Sequence, residues 1–426
     1  MSQNRPAPDS RPLAIAIETP GGTIFREIRA ASPLRDDLPQ GTAAEVAAEE
    51  AAVVWGLPDF LFQAGRLRVG AGSRERGDRL VFAGERAAVL QVKSRVAFTG
   101  DESKERRWLE KHAAKALRQA DGTIRRLRSD RVGIVSARGR EVEVDGGGSD
   151  WISVVVLDHP SPPDDLAIPL SARNPSVVLT RRDWEFLFRQ LKSTTAVLGY
   201  LDRVAGKEHA LGAEAQRYFN LALADAATPP GRLDERISAN GIPHSGPLLP
   251  IEEAAGTDDF REHVLIRSIL EDIARTTAPR IDELQRLITL SHLDQLTPND
   301  RVMIGRYLIE GLGRFFISPP ETTIWRVRRL VGTFAREHYS QLCFGTSSGS
   351  GEADRGMFGF WLQLRHHQLF HLLDRDPELV SVGVQLAPRP DGAREFDTTV
   401  VTVKGDLHLD RDTVAELEAV WPTDPA

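Results

Sequence analysis

The 426-residue chain carries a single cysteine, Cys343, so it can form no intramolecular disulfide and has no second thiol for a cysteine-rich zinc site. A reducing, cytoplasmic setting is the expectation. No run approaches the roughly 18 uninterrupted apolar residues that a membrane-spanning helix needs. Residues 1–12 are polar and lack the apolar stretch and small-residue cleavage site of a secretory leader, which disfavours secretion as well. No internal repeat is visible, so a repeat array is set aside. What is present is ordinary globular material, with 41% hydrophobic and 27% charged residues. Its length calls for two or three folded units at about 100–200 residues each.

Charge is segregated. The whole chain carries −7, yet residues 64–131 hold 18 Lys/Arg against nine Asp/Glu, a net of +9 that leaves −16 for the remainder. A basic segment in an acidic protein keeps a polyanionic partner in view.

Residues 1–12 read as a disordered lead, followed by a short strand at 13–17 and a turn at Gly21 and Gly22. The run TAAEVAAEEAAVVW at 42–55 begins on a capping Thr42 and stops at Gly56 with Pro58 beyond, which predicts a helix. Three extended segments follow at 59–67, 79–82 and 87–93, separated by glycine-bearing turns at 70–77 and at Gly84. A long amphipathic helix is expected over 102–128, where Leu109, Ala113, Ala116, Ala120, Ile124 and Leu127 recur at helical spacing and need a sheet to cover. Residues 132–144 alternate as a hairpin, and 151–157 (WISVVVL) have the apolar run of a buried strand. Residues 176–179 form a strand leading into a Thr180-capped helix over 182–203. This alternation points to an α/β layer fold for residues 1–205. Residues 206–258, broken from 229 onward by prolines and glycines, read as a connector. Residues 259–426 are expected to be mainly α-helical, with helices at 260–275, 281–292, 298–316, 323–341 and 357–373, two strands at 380–386 and 396–403, and a last helix at 410–420.

The informative residues lie in the expected hairpin of 79–82 and 87–93. Asp78 opens its first strand, and the two-residue period puts Gln91 and Lys93 on one face of the second, with apolar neighbours turned away. A lysine inside an otherwise apolar strand needs a carboxylate or a ligand to compensate its charge. Asp78 is the obvious candidate, with Glu45 or Glu49 on the preceding helix completing an acidic cluster. Hydrolysis of a phosphodiester uses such parts. Mg2+ (or Mn2+) binds through one or two carboxylates and phosphate oxygens. Asp78 would be the main ligand, with the Gln91 amide oxygen and the backbone carbonyl of Val92 beside it. Lys93 would hold the attacking water or stabilise charge developing on phosphorus. The bland alternative is a cross-strand ion pair between Asp78 and Lys93 at a sheet edge.

These residues resemble the restriction-endonuclease-like PD-(D/E)xK nuclease superfamily, whose core runs helix, three strands, helix, strand, the order expected here over 42–157. In that family an Asp opens one strand, and Glu or Gln, any residue, then Lys closes the next; the chain offers Asp78 and Gln91-Val92-Lys93, 13 positions apart. The Gln form looks most like Mrr-type restriction enzymes. The run from Gly41 to Glu45, with Gly56 eleven residues beyond the latter, is similar to the first helix of archaeal Holliday-junction resolvases, which makes Glu45 the better match to the family's helix acid and Glu49 the second choice. Gly77 stands where the family's proline is usual. The resemblance covers a quarter to a third of the chain. It implies a central mixed sheet flanked by helices and metal-dependent cleavage of DNA, or in second place RNA, by Glu45 or Glu49, Asp78, Gln91 and Lys93.

On the long helix, Lys111, Lys115, Arg118 and Arg125 recur at steps of four, three and seven, with Gln119 one turn from Lys115, while Arg66, Arg68, Arg74 and Arg76 precede Asp78. Such a stripe would neutralise backbone phosphates; the alternative is a merely solvated face. Elsewhere, His366, His367 and His371 share a helix, but Gln368 stands where a zinc-protease motif has Glu, so core or surface histidines are expected. The TSSGSG run at 346–351 lacks the Lys-Ser/Thr of a phosphate loop, Cys343 has no His/Asp partner in sequence, and Trp184, Phe186 and Phe188 are expected to pack on the sheet. The reading is a cytoplasmic nuclease with a second domain that could hold a partner or dimerise, in a setting such as restriction, repair or phage defence. A catalytically silent nucleic-acid-binding module and a protein-interaction scaffold stand as alternatives.

Overall fold

A computed structural model describes residues 12–19, 21–64, 79–129, 131–170, 173–227, 235–239, 249–251, 259–276, 282–317, 323–333, 338–389 and 396–422. Asp78, Gly77, the turn at 70–77, Arg66, Arg68, Arg74, Arg76 and the expected lead at 1–11 lie outside them. The chain divides into two compact units, one of Met1–Ala227, Leu249–Ala254 and Arg280–Ser291, the other of Thr228–Leu248, Ala255–Pro279 and His292–Ala426.

The first unit opens with an antiparallel pair, β1 (Leu13–Thr19) and β2 (Gly22–Ile28). Helix α1 (Gln40–Trp55) buries a small-residue stripe, Ala43, Ala44, Ala47, Ala48, Ala51 and Ala52, and ends at Gly56. A side chain at Gly56 could not fit, since its Cβ would lie 2.5 Å from the Ala52 carbonyl oxygen. Three strands follow: β3 (Leu61–Ala64), β4 (Arg79–Ala83) and β5 (Arg86–Ser94). They form an antiparallel meander, with Gly84 at φ +64° in the two-residue turn between the last two. Helix α2 (Glu102–Ser129) has acids in its first turn and arginines in its last, matching the helix dipole at both ends. It returns the chain through a hairpin, β6 (Val132–Ser136) and β7 (Glu141–Val144), to β8 (Asp150–Asp158), which pairs parallel with β5, and β9 (Ser176–Thr180) pairs parallel with β8. The result is a seven-stranded mixed sheet in the order β7-β6-β3-β4-β5-β8-β9. Strand β8 is buried along nearly its whole length, which explains its uninterrupted apolar sequence.

The helix expected at 182–203 is two helices, α3 (Arg181–Leu191) and α4 (Thr194–Val204). Lys192 takes a left-handed conformation, φ +50°, and the Ser193 hydroxyl accepts from the Ala196 amide to cap the second helix. The Thr180 cap is present as a reciprocal box with Asp183. Helix α5 (Glu214–Ala227), which falls within the span read as connector, belongs to this unit. Trp184 donates its indole N–H to the Ala48 carbonyl of α1 at 2.9 Å, and Phe186 packs against Tyr218 and Phe219 of α5.

Helix α8 (Glu283–Asp294) crosses the boundary between the units. The second unit also holds α6 (Glu235–Ala239), α7 (Phe260–Arg275) and α9 (Pro298–Ile317). The helix expected at 323–341 is instead a strand pair, β10 (Trp325–Thr333) and β11 (Tyr339–Ser347), antiparallel with Leu330 opposite Leu342. Most of that span is β10, where the alternation Trp325-Arg326-Val327-Arg328 breaks at Arg329, so the sequence leaves no clean two-residue period and pairing with β11 decides. After α10 (Glu352–Leu372), β12 (Val380–Pro388) pairs parallel with β11 and antiparallel with β13 (Phe396–Lys404), before α11 (Arg411–Val420). This part of the chain therefore carries a four-stranded mixed sheet, β10-β11-β12-β13, alongside its helices.

Candidate functional site

Helix α2 lies on the sheet through Leu109, Ala113, Ala116 and Leu117, which share a buried cluster with Val155 and Leu157 of β8. In the parallel register Gln91 aligns with Val155 and Lys93 with Leu157. Aligned residues share a face, so Gln91 and Lys93 look to the α2 side. Their side chains meet: Lys93 Nζ donates to Gln91 Oε1 at 3.2 Å. Gln91 is buried and Lys93 and Val92 are half-buried.

Arg79, opposite Leu90, turns to the other face and reaches α1, where its Nε donates to Glu49 Oε1 at 2.5 Å. Glu49 is thereby engaged by a guanidinium. Glu45, one turn earlier, has an exposed side chain whose pKa is raised first by desolvation, against the pull of the Lys93 charge, with Glu49 pushing it up and Arg79 down. Lys93 thus acts electrostatically on the acid nearer the start of α1. That start is tied to the end of β5 by Gln40, whose Nε2 donates to the Arg95 carbonyl at 3.1 Å.

Lys111, Lys115, Arg118, Gln119 and Arg125 are all exposed on α2. His112 lies among them; burial lowers its pKa, and the charges of Lys111, Lys115, Lys93 and Arg95 lower it further, which holds the ring neutral at neutral pH. The charges of the α2 lysines and of Lys93 are thus felt at one imidazole.

Sequence reasoning missed Glu105. Its buried carboxylate accepts from Arg95 Nε at 2.8 Å and Nη2 at 3.0 Å, from the Thr99 amide at 3.0 Å and hydroxyl at 2.7 Å, and it lies 2.9 Å from His159 Nε2. The Arg95 guanidinium above all holds the Glu105 carboxyl well below the ordinary range, and Arg95 also stacks 5.3 Å over the Trp108 ring. A signal is present in the sequence, since Glu105 stands four residues before Leu109 on the stripe that faces the core. A second acid, Asp158, receives Ser94 Oγ at 2.7 Å and Arg181 Nε at 2.9 Å, which fixes the end of β5 against β8 and α3.

The oxygen donors offered by Glu45 and Gln91, a carboxylate and an amide, suit a hard divalent ion rather than a soft one. Among the described residues no three His, Cys, Asp or Glu side chains gather in a metal-binding group. Asp78, the expected main ligand, precedes Arg79 in the chain and lies outside those residues.

In the second unit His366 is a core residue, its ring nitrogens 2.8 Å from Ser381 Oγ and 2.7 Å from the Gly405 carbonyl. The His367 and His371 rings lie 4.4 Å apart. Cys343 is fully buried and burial pushes its thiol up to about 12. In the TSSGSG loop the Gly351 amide donates to Asp354, so the start of α10 is closed by its own carboxylate. No helix among the described residues is long and apolar enough to cross a membrane. Comparisons with protein-family models, with curated proteins and with solved structures return no match to the chain.

Proposed function

We propose that the first unit is a metal-dependent nuclease that hydrolyses phosphodiester bonds of DNA, with RNA as the second choice. The observation that carries the reading is the Lys93–Gln91 pair on the α2 face of β5, with Glu45 within electrostatic reach of the lysine and the α2 lysines acting with it on His112. The order α1, β3, β4, β5, α2, β8, with β8 parallel to β5, supports a restriction-endonuclease-like core; the β6–β7 hairpin is an insertion that extends the sheet beside β3.

A bound Mg2+ or Mn2+ would supply Lewis-acid polarisation of the phosphate and a nucleophilic water at neutral pH. Asp78, Gln91 Oε1 and the Val92 carbonyl would hold it, with Glu45 of α1 as the second acid, acted on by the Lys93 charge. Lys93, positioned by Gln91, presents its ammonium to the attacking water or the non-bridging phosphate oxygens as charge grows there. Lys111, Lys115 and Arg118 seat the backbone, and Glu49 keeps Arg79 turned away from the phosphate.

Incubating labelled DNA with Mg2+ tests this. The wild-type chain is expected to cut, and Lys93→Ala to bind without cutting while keeping its far-ultraviolet circular dichroism; full cleavage by the variant would refute the role of Lys93. A second reading, binding without turnover, is favoured by one observation, that Gln91 stands where an acid would add a charged ligand. Mobility shift in EDTA with no nicking on addition of Mg2+ or Mn2+ would select it.

A further inference from the structure

Residues 95–99 join β5 to the approach of α2, and they expose two apolar side chains beside the candidate site: Val96 is 73% exposed and Phe98 46%. Exposed aromatics on a surface loop are ordinarily free to fold back onto apolar neighbours. Here the loop is fixed at both ends, so the ring keeps one exposed face while its edge rests on His159. Arg95 at one end and Thr99 at the other both bond the single buried carboxylate of Glu105, and the Arg95 amide donates to the Asp158 carbonyl at 2.9 Å. Phe98 stands edge-on to His159 at 5.7 Å; His159 lies 5.8 Å from Trp108, which stacks on His112 at 4.4 Å. That chain of rings leads from the exposed Phe98 to the imidazole on which Lys93, Lys111 and Lys115 act.

A partly exposed ring whose ring contacts run through His159 and Trp108 to His112, beside the exposed Lys111 and Lys115 of α2, matches the chemistry of a nucleic acid, with phosphates for the lysines and a base face for the ring. We propose that Phe98, backed by Val96, is a wedge that enters the base stack next to Lys93, so that the preferred substrate is DNA with a base free to leave the stack, such as a duplex carrying a bulge. The proposal rests on the nuclease reading for the position of the backbone along α2. Wedging costs unstacking, and a bulge has already met that cost, which gives the preference its sign. Glu105 is a positioning residue for the wedge.

The test uses the full chain in EDTA, where nothing is cut, with two duplexes of one sequence, one continuous and one with a bulged fluorescent adenine analogue whose emission rises on unstacking. The wild-type chain is expected to bind the bulged duplex about tenfold more tightly, the scale of one base–aromatic stack, and to brighten the analogue. Phe98→Ala is expected to lose both the preference and the brightening, and Phe98→Trp to keep both, which separates loss of the ring from loss of the fold. Equal affinity for the two duplexes, or equal brightening by Phe98→Ala, would overturn the wedge. Cleavage on later addition of Mg2+ reads the nuclease assignment separately: cutting without bulge preference removes the wedge alone, and bulge preference without cutting removes the nuclease alone.

Discussion

Replacing Glu105 by Gln removes one negative charge and leaves the size of the side chain unchanged, which isolates the electrostatic part of its role. Five donors point at that carboxylate, two from Arg95, two from Thr99 and the His159 ring. The amide keeps one accepting oxygen and turns an N–H2 group toward donors, so at least two of those donors lose their acceptor and the buried side of Arg95 is left uncompensated. Removing one member of a buried ion pair costs about 3–5 kcal/mol, and a hydrogen bond to a charged group is worth about 1.5–3 kcal/mol, so about 3 kcal/mol is expected for Glu105→Gln. Urea unfolding of both proteins, followed by tryptophan emission to which Trp108 contributes, measures it. Glu105 has a folded pKa lowered from the ordinary 4.5, so its contribution is complete above that value and is lost as pH falls through the folded pKa. The gap between wild type and variant should accordingly hold at neutral pH and shrink below about 4.5. A loss under about 0.5 kcal/mol at neutral pH, the range of an uninvolved surface change, would refute the clamp.

Alanine at both Lys111 and Lys115 should weaken binding across all DNA sequences and flatten the slope of log affinity against log salt by about 0.9 for each phosphate no longer neutralised, which filter binding over a salt series reads. Glu45→Gln should slow cleavage about 10–100-fold, on the scale of groups that tune a metal site. Because partial desolvation on α1 raises the Glu45 pKa, wild-type cleavage should climb as pH rises past the ordinary 4.5, and the variant's pH profile should lose that limb. In the second unit, His292 is half-buried with its ring against the Ser340 hydroxyl, and desolvation lowers its pKa from 6.5 to about 4. The unfolded chain takes the proton first, so this unit should lose about 3 kcal/mol as pH falls from the higher value to the lower, and His292→Asn should remove that dependence in acid melts.

The elements that build the site are legible in the sequence because their signals are local. Gly56 and Pro58 stop α1, Gly84 turns the β4–β5 hairpin, and the leucine and alanine stripe of α2 has an unambiguous period. The same locality fails at 323–341, where Arg329 breaks the alternation of β10 and pairing with β11 decides, and at Lys192, where one left-handed residue and the Ser193 cap split a helix that composition alone would continue. Glu45 and Glu49 lie one turn apart on the same face of α1, so spacing cannot choose between them; what the fold adds is that Arg79 of β4 bonds Glu49. Glu105 escapes notice because an acid among basic residues reads as surface, although its place on the Leu109 stripe marks it as buried. Gln91 and Lys93 are legible as a pair because a strand's alternation is geometric, and their hydrogen bond is a consequence of it.

The most direct measurement loads the chain onto DNA in EDTA, adds excess Mg2+, and monitors strand breaks in a single turnover for the wild type and for Asp78→Asn. Breaks that appear only after the ion is added, and only with the aspartate in place, are the expected result. DNA that stays bound and intact after Mg2+ or Mn2+, or that breaks equally with Asn at that position, would contradict the nuclease assignment.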